Sequence, residues 1–92
     1  MTLKVAAKSD AKKLAGALAR ALRENGASAE IHAIGAGAVN QAMKAIAIAR
    51  GYVVTSGRDL VCVPAFTRMQ IDGQDRTGLR LMIGLRDGLN GK

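Results

Sequence analysis

A chain of 92 residues forms one domain, large enough to bury a single modest core and too short for a second. Its apolar half is aliphatic: one Phe, one Tyr and no Trp argue against a base-stacking platform built on aromatic side chains. Fourteen Lys and Arg against seven Asp and Glu leave a net charge of +7, which favours a polyanionic partner, nucleic acid before anionic lipid.

Thr2 to Ala7 alternates, with Leu3, Val5 and Ala7 on one side and Lys4 and Ala6 on the other, the period of a half-buried strand. Lys8-Ser9-Asp10 breaks it. From Ala11 the residues Leu14, Ala15, Leu18, Ala21 and Leu22 recur at helical spacing, and Ser9 or Asp10 is placed to cap the first amides. Lys12, Lys13, Gly16, Arg20 and Arg23 fall outside the apolar stripe, and the first 28 residues hold a net charge of +4. The opening MTLKVAAK lacks the apolar core of a signal peptide. Asn25-Gly26 supplies the left-handed residue that commonly stops a helix.

Ala29 to Ile34 predicts a strand, parallel to the first because a helix connects them. Gly35-Ala36-Gly37 then leads into a helix over Ala38 to Arg50 that is apolar on nearly all sides. Val39, Met43, Ile46 and Ala47 form one face, and Ala38, Ala42, Ala45 and Ala49 form a stripe of small residues beside it. A helix apolar on two sides needs two surfaces to pack on. The sheet is one, and the alanine stripe is expected to meet a second subunit.

Gly51 to Gly57 is a connection. Leu60 to Ile71 and Thr77 to Arg86 predict two strands joined through Asp72-Gly73-Gln74-Asp75, since Asp-Gly between apolar strands signals a hairpin. Pro64 cannot donate to a ladder, which puts its strand at a sheet edge. Cys62 is the single cysteine, so no intramolecular disulfide forms and a reducing cytoplasm is the expected compartment. No run approaches the ~18 apolar residues of a membrane span, and no membrane partner is expected. Residues 1–87 are read as one domain and 88–92 as a flexible tail. The order is βαβαββ, an α+β two-layer sandwich with two helices on one face of a four-stranded mixed sheet.

The glycine turn at 35–37 joins free backbone amides to a helix N-terminus, a geometry suited to an anion. It fits a dinucleotide poorly: Asn40 stands where a third glycine belongs, and Asp59 is the one candidate for the distal acidic residue. A close approach of helix and sheet accounts for the same glycines. His32 is the lone histidine, with no cluster to ligate a metal, and Ser9, Ser28 and Ser56 have no histidine that the sequence would pair with them. No enzymatic activity, no metal and no small-molecule cofactor are expected.

The segment AEIHAIGAGAVNQAMKAIAIARGYV, followed by Asp59-Leu60-Val61-Cys62-Val63-Pro64-Ala65-Phe66 and Ile71-Asp72-Gly73, closely resembles the stage V sporulation protein S family, and the likeness runs from about Leu3 to Ile83. That family is similar in turn to the archaeal Alba chromatin proteins. The resemblance implies an Alba-like fold, a homodimer or higher homo-oligomer, and binding of DNA or RNA, with a link in spore formers to the late stages of sporulation.

Three surfaces follow from the resemblance. Lys8, Lys12 and Lys13 correspond to a basic loop. Gly35 and Gly37, with Asn40, Gln41 and Lys44 behind them, stand where Alba bears arginine. Arg68 and Arg76 flank a hairpin tip that is expected to be short, with Asp72 and Asp75 in it, so that it touches phosphates and does not enter a groove. The expected function is binding of the nucleic-acid backbone with little sequence readout. The alternative is a regulatory adaptor that acts through protein-protein contacts.

Overall fold

The computed structural model describes residues 1–24 and 26–87. Asn25 and the tail 88–92, both read above from sequence, lie outside the described residues. Four strands and two helices follow the expected order: β1 (Thr2–Val5), α1 (Ala11–Glu24), β2 (Ser28–Ala33), α2 (Ala36–Val53), β3 (Arg58–Ile71) and β4 (Gln74–Asp87), with a single 3-10 turn at Val54–Ser56. The sheet order is β1-β2-β4-β3. β1 and β2 are parallel, and the other two pairings are antiparallel. The strand of Pro64 is therefore an edge, as its missing amide hydrogen requires.

Local chemistry sets the element ends. Asp10 Oδ1 accepts the amides of Lys12 at 2.9 Å and Lys13 at 3.2 Å, so Asp10 caps α1 and Ser9 does not. Ser9 instead closes the loop before it, its Oγ accepting the Ala6 amide at 2.9 Å. Gly26, just past α1, is left-handed at φ 67. α2 begins two residues earlier than expected, at Ala36, because Gly35 takes φ 91 and ψ 155 as its N-cap, a conformation that disfavours any side chain. The β3-β4 turn is Asp72-Gly73 with both φ values positive, 52 and 77, the geometry of a type I′ hairpin.

The core lies between the helices and one face of the sheet. Leu18 and Leu22 of α1 meet Ile31 and Leu81 of the two central strands, and all four are fully buried. Each such side chain contributes about 1.5–3 kcal/mol through burial. Neither aromatic residue joins them, since Phe66 is 82% exposed and Tyr52 53%.

Two expectations are corrected here. Ala38, Ala42, Ala45 and Ala49 are all buried within the single chain, so their methyl groups are unavailable to a second subunit. Ala42, Ala45 and Ala49 join the core cluster shared with α1 and the sheet, so this stripe is spent inside the chain; Met43 and Ala47 face outward in its place. The hairpin, moreover, is long. β4 pairs with β3 over its whole length but with β2 only from Leu79 to Gly84, so Gln74–Gly78 and Thr67–Ile71 run on as a two-stranded ribbon. At the usual rise the free arm spans about 17 Å. The turn itself is tight, as its sequence implies, but the length of the free arm depends on where β2 stops, at Ala33 before the turn into α2.

Candidate nucleic-acid interface

Three segments meet at one end of the sheet. β1 and β2 are parallel and end together, Val5 opposite Ala33. The loop carrying Lys8 leaves the first, α2 starts just beyond the second, and the ribbon continues past Ala33 in the same direction. A depression of about 310 Å³ lined by Ala6, Ala7, Ile34, Met69 and Ile71 marks where loop, strand end and ribbon arm adjoin.

The loop is fastened to α2 in two ways. Gln41 Nε2 donates to the Ser9 carbonyl at 2.7 Å. At Gly37, a Cβ would stand 2.8 Å from Ala7 Cβ, so only glycine lets the first turn of α2 lie against the loop. This close approach is one of the two readings of the glycine turn, and it applies to Gly37. Gly35 opens a helix with no side-chain cap and no acidic residue in its first turn. The amides of Ala36, Gly37 and Ala38 have no preceding helical carbonyl to bond. α1 differs, because Asp10 already occupies its N-terminus.

The basic side chains follow from this scaffold. Lys8, Lys12 and Lys13 are exposed beside the start of α2, and Asn40 and Lys44 are exposed one turn apart on α2 itself. Gln41, also among the expected contact residues, uses its amide nitrogen to donate to the Ser9 carbonyl and so holds the loop against α2. Arg68 is opposite Thr77 and Arg76 opposite Met69, so by strand alternation the two arginines leave opposite faces of the ribbon.

Sequence reading missed two contributors. Gly78 has space for no side chain, since its Cβ would be 2.7 Å from both the Ala33 carbonyl oxygen and Ile34 Cγ1. It lets the ribbon leave the sheet against the end of β2. An isolated glycine inside a predicted strand was the available signal. Lys4 faces the helix-free side of the sheet, in register with His32 and, beyond it, Arg80. His32 Nε2 lies 3.7 Å from Glu30 Oε1, which is 3.3 Å from Arg80 Nε. This imidazole is packed among charges on a strand face, in keeping with a structural role. Burial pushes the Cys62 thiol up, away from a reactive thiolate. Among the described residues no group of three or more His, Cys, Asp or Glu side chains could hold a metal ion, and no helix is long and apolar enough to cross a membrane.

A family model for stage V sporulation protein S matches residues 1–86. The chain belongs to the stage V sporulation protein S family. Among solved structures, this family member is similar to Alba from Thermoplasma volcanium, with a TM-score of 0.61 and 15% identity over 92% of this chain and 98% of that one. At that identity the likeness is one of fold: the same two-layer arrangement of paired helices on a four-stranded mixed sheet.

Proposed function

We propose that this stage V sporulation protein S family member binds DNA or RNA through its phosphate backbone, as a homodimer in the cytoplasm. The observation that carries the reading is the convergence of the Lys8 loop, the uncapped start of α2 and the β3-β4 ribbon at one end of the sheet, with Gln41 and Gly37 fixing the loop in place. Lysines supply charge, and the amides from Ala36 to Ala38 donate to phosphate oxygens. The Alba-like fold and the net charge of +7 point the same way. Arg68 and Arg76, on the two faces of a free ribbon, are suited to phosphates on either wall of a groove.

The dimer surface in this reading is no longer the alanine stripe. Phe66, with Pro64, Ala65 and Leu79, lines an open apolar depression of about 340 Å³ on the helix-bearing side of the sheet, and a second copy would cover it. On the adaptor reading the same patch would receive another protein.

The test is a titration against duplex DNA, single-stranded DNA and RNA at two salt concentrations. Backbone binding gives a log-log slope of about 0.9 per phosphate neutralised on duplex DNA. Replacing Lys8, Lys12 and Lys13 with Ala lowers both affinity and slope; unchanged affinity would remove this surface from the reading. Phe66→Glu gives a monomer by sedimentation and weaker nucleic-acid binding through lost bivalency. A monomeric wild type with no nucleic-acid affinity would favour the adaptor.

A further inference from the structure

A second basic site lies at the opposite end of α2. There a groove of about 570 Å³ opens between the later turns of α1 and the end of α2, with Leu85 of β4 also lining it. Arg20 and Arg23 line the α1 wall, one turn apart, and neither has an ion-pair or hydrogen-bond partner among the described residues. Gly16 and Ala19 keep that wall low, and a Cβ at Gly16 would meet nothing within 4 Å.

The facing wall has different chemistry. Tyr52, the one tyrosine of the chain, presents a half-exposed ring. Thr55 Oγ1 donates to the Tyr52 carbonyl at 2.9 Å and Ser56 Oγ to the Val53 carbonyl at 2.7 Å. Both hydroxyl protons are thus committed to backbone, and what the oxygens offer the groove is lone pairs, which accept hydrogen bonds. The groove therefore combines two free guanidiniums, one stackable ring and two acceptors.

We propose that this groove binds a nucleoside monophosphate. The guanidiniums match a phosphate dianion, the tyrosine ring stacks on a base, and the acceptors suit ribose hydroxyls or an exocyclic amine. The volume is within the range of small-ligand sites. α2 is 18 residues long, so the groove is about 27 Å from the helix start where nucleic acid is proposed to bind. It is a site for a regulatory ligand, separate from the backbone interface.

Calorimetric titration of the full chain with AMP, GMP, CMP and UMP, with adenosine and with inorganic phosphate tests the proposal. At least one nucleotide binds one-to-one, and more tightly than adenosine or phosphate. Arg20→Gln with Arg23→Gln weakens the nucleotide about tenfold, and Tyr52→Leu weakens nucleotide and nucleoside alike, by about tenfold. Replacing Lys8, Lys12 and Lys13 leaves nucleotide binding as in the wild type, which separates this site from the backbone interface. In amide NMR spectra the shifts on titration centre on Gly16 and Val53. The proposal is overturned if no nucleotide saturates at millimolar concentration, if phosphate binds as well as the nucleotide, or if the double arginine variant binds it unchanged. An arginine variant that loses duplex affinity in a protein with no nucleotide binding would likewise overturn it, by making the groove part of a nucleic-acid track. The arginines are exposed, and a thermal melt of each variant confirms that it is folded.

Discussion

Gln41 on α2 donates its side-chain amide to the Ser9 carbonyl at 2.7 Å, joining residues 32 positions apart and fixing the loop that carries Lys8. The bond supplies position without charge. Gln41→Ala should therefore lower nucleic-acid affinity several-fold while leaving the salt slope as it is, because no cation is lost. Stability should fall by about 0.5–1.5 kcal/mol. A changed slope would show that Gln41 acts on phosphates in its own right.

Gly37 and Ala7 are a complementary pair, with no space for a methyl group on both. Gly37→Ala should destabilise the protein by about 1–3 kcal/mol in urea unfolding through overpacking. Adding Ala7→Gly removes the opposing atom, so the double variant should recover most of the loss and the nucleic-acid affinity with it. A double variant no better than Gly37→Ala would mean that the cost arises elsewhere.

The two glycines of β4 differ in the same way. A Cβ at Gly78 meets the Ala33 carbonyl oxygen at 2.7 Å, and backbone cannot rotate aside, whereas at Gly84 the nearest atoms are 3.9 Å away. Gly78→Ala should destabilise by about 1–3 kcal/mol and displace the ribbon, while Gly84→Ala should change stability by less than about 0.5 kcal/mol. Comparable losses at both positions would contradict this placement of the ribbon.

Asp59 anchors the end of α2 to the start of β3. Arg50 Nε donates to its Oδ1 at 2.7 Å, and so does the Leu60 amide at 2.7 Å. The Arg50 hydrogen bond and then the Leu60 amide hold the Asp59 carboxyl below its ordinary range. A depressed folded pKa gives stability that is present above the unfolded value, about 3.9, and is lost as pH falls through the lower folded one. In thermal melts across that acid range, Asp59→Asn should show a flatter decline than the wild type and a lower midpoint at neutral pH. Parallel acid limbs would assign the acid sensitivity to other carboxylates.

Size does not set a side chain's weight in this fold. Leu81→Ala, at a fully buried central-strand position, should cost about 2–5 kcal/mol. Phe66→Ala, 82% exposed, should cost less than about 0.5 kcal/mol in dilute, monomeric protein and should weaken self-association instead. Circular dichroism melts and sedimentation on the two variants separate these effects.

Much of this architecture is legible in the residues alone. Period-two alternation in residues 2–5 and 79–85, helical spacing from Ala11, a cap at Ser9 or Asp10 and the Asp72-Gly73 turn are local signals, set by backbone and side-chain geometry within a few residues. They lead to the element order and, with Pro64, to the edge strand. Lys8, Lys12 and Lys13 likewise declare themselves by charge. The face that α2 turns inward is a different kind of fact. Alanine stripe and larger apolar stripe are both plausible contacts on a helical wheel, and only packing in the folded chain decides that Ala38, Ala42, Ala45 and Ala49 are inside and Met43 outside. Ribbon length is another, because it depends on where β2 stops beside β4. So are the ties from Gln41 to Ser9 and from Gly37 to Ala7, which join distant segments. Periodicity and turn chemistry are short-range and written along the chain; register, close approach and the choice between two apolar faces are long-range competitions for space, settled only when all the layers pack together.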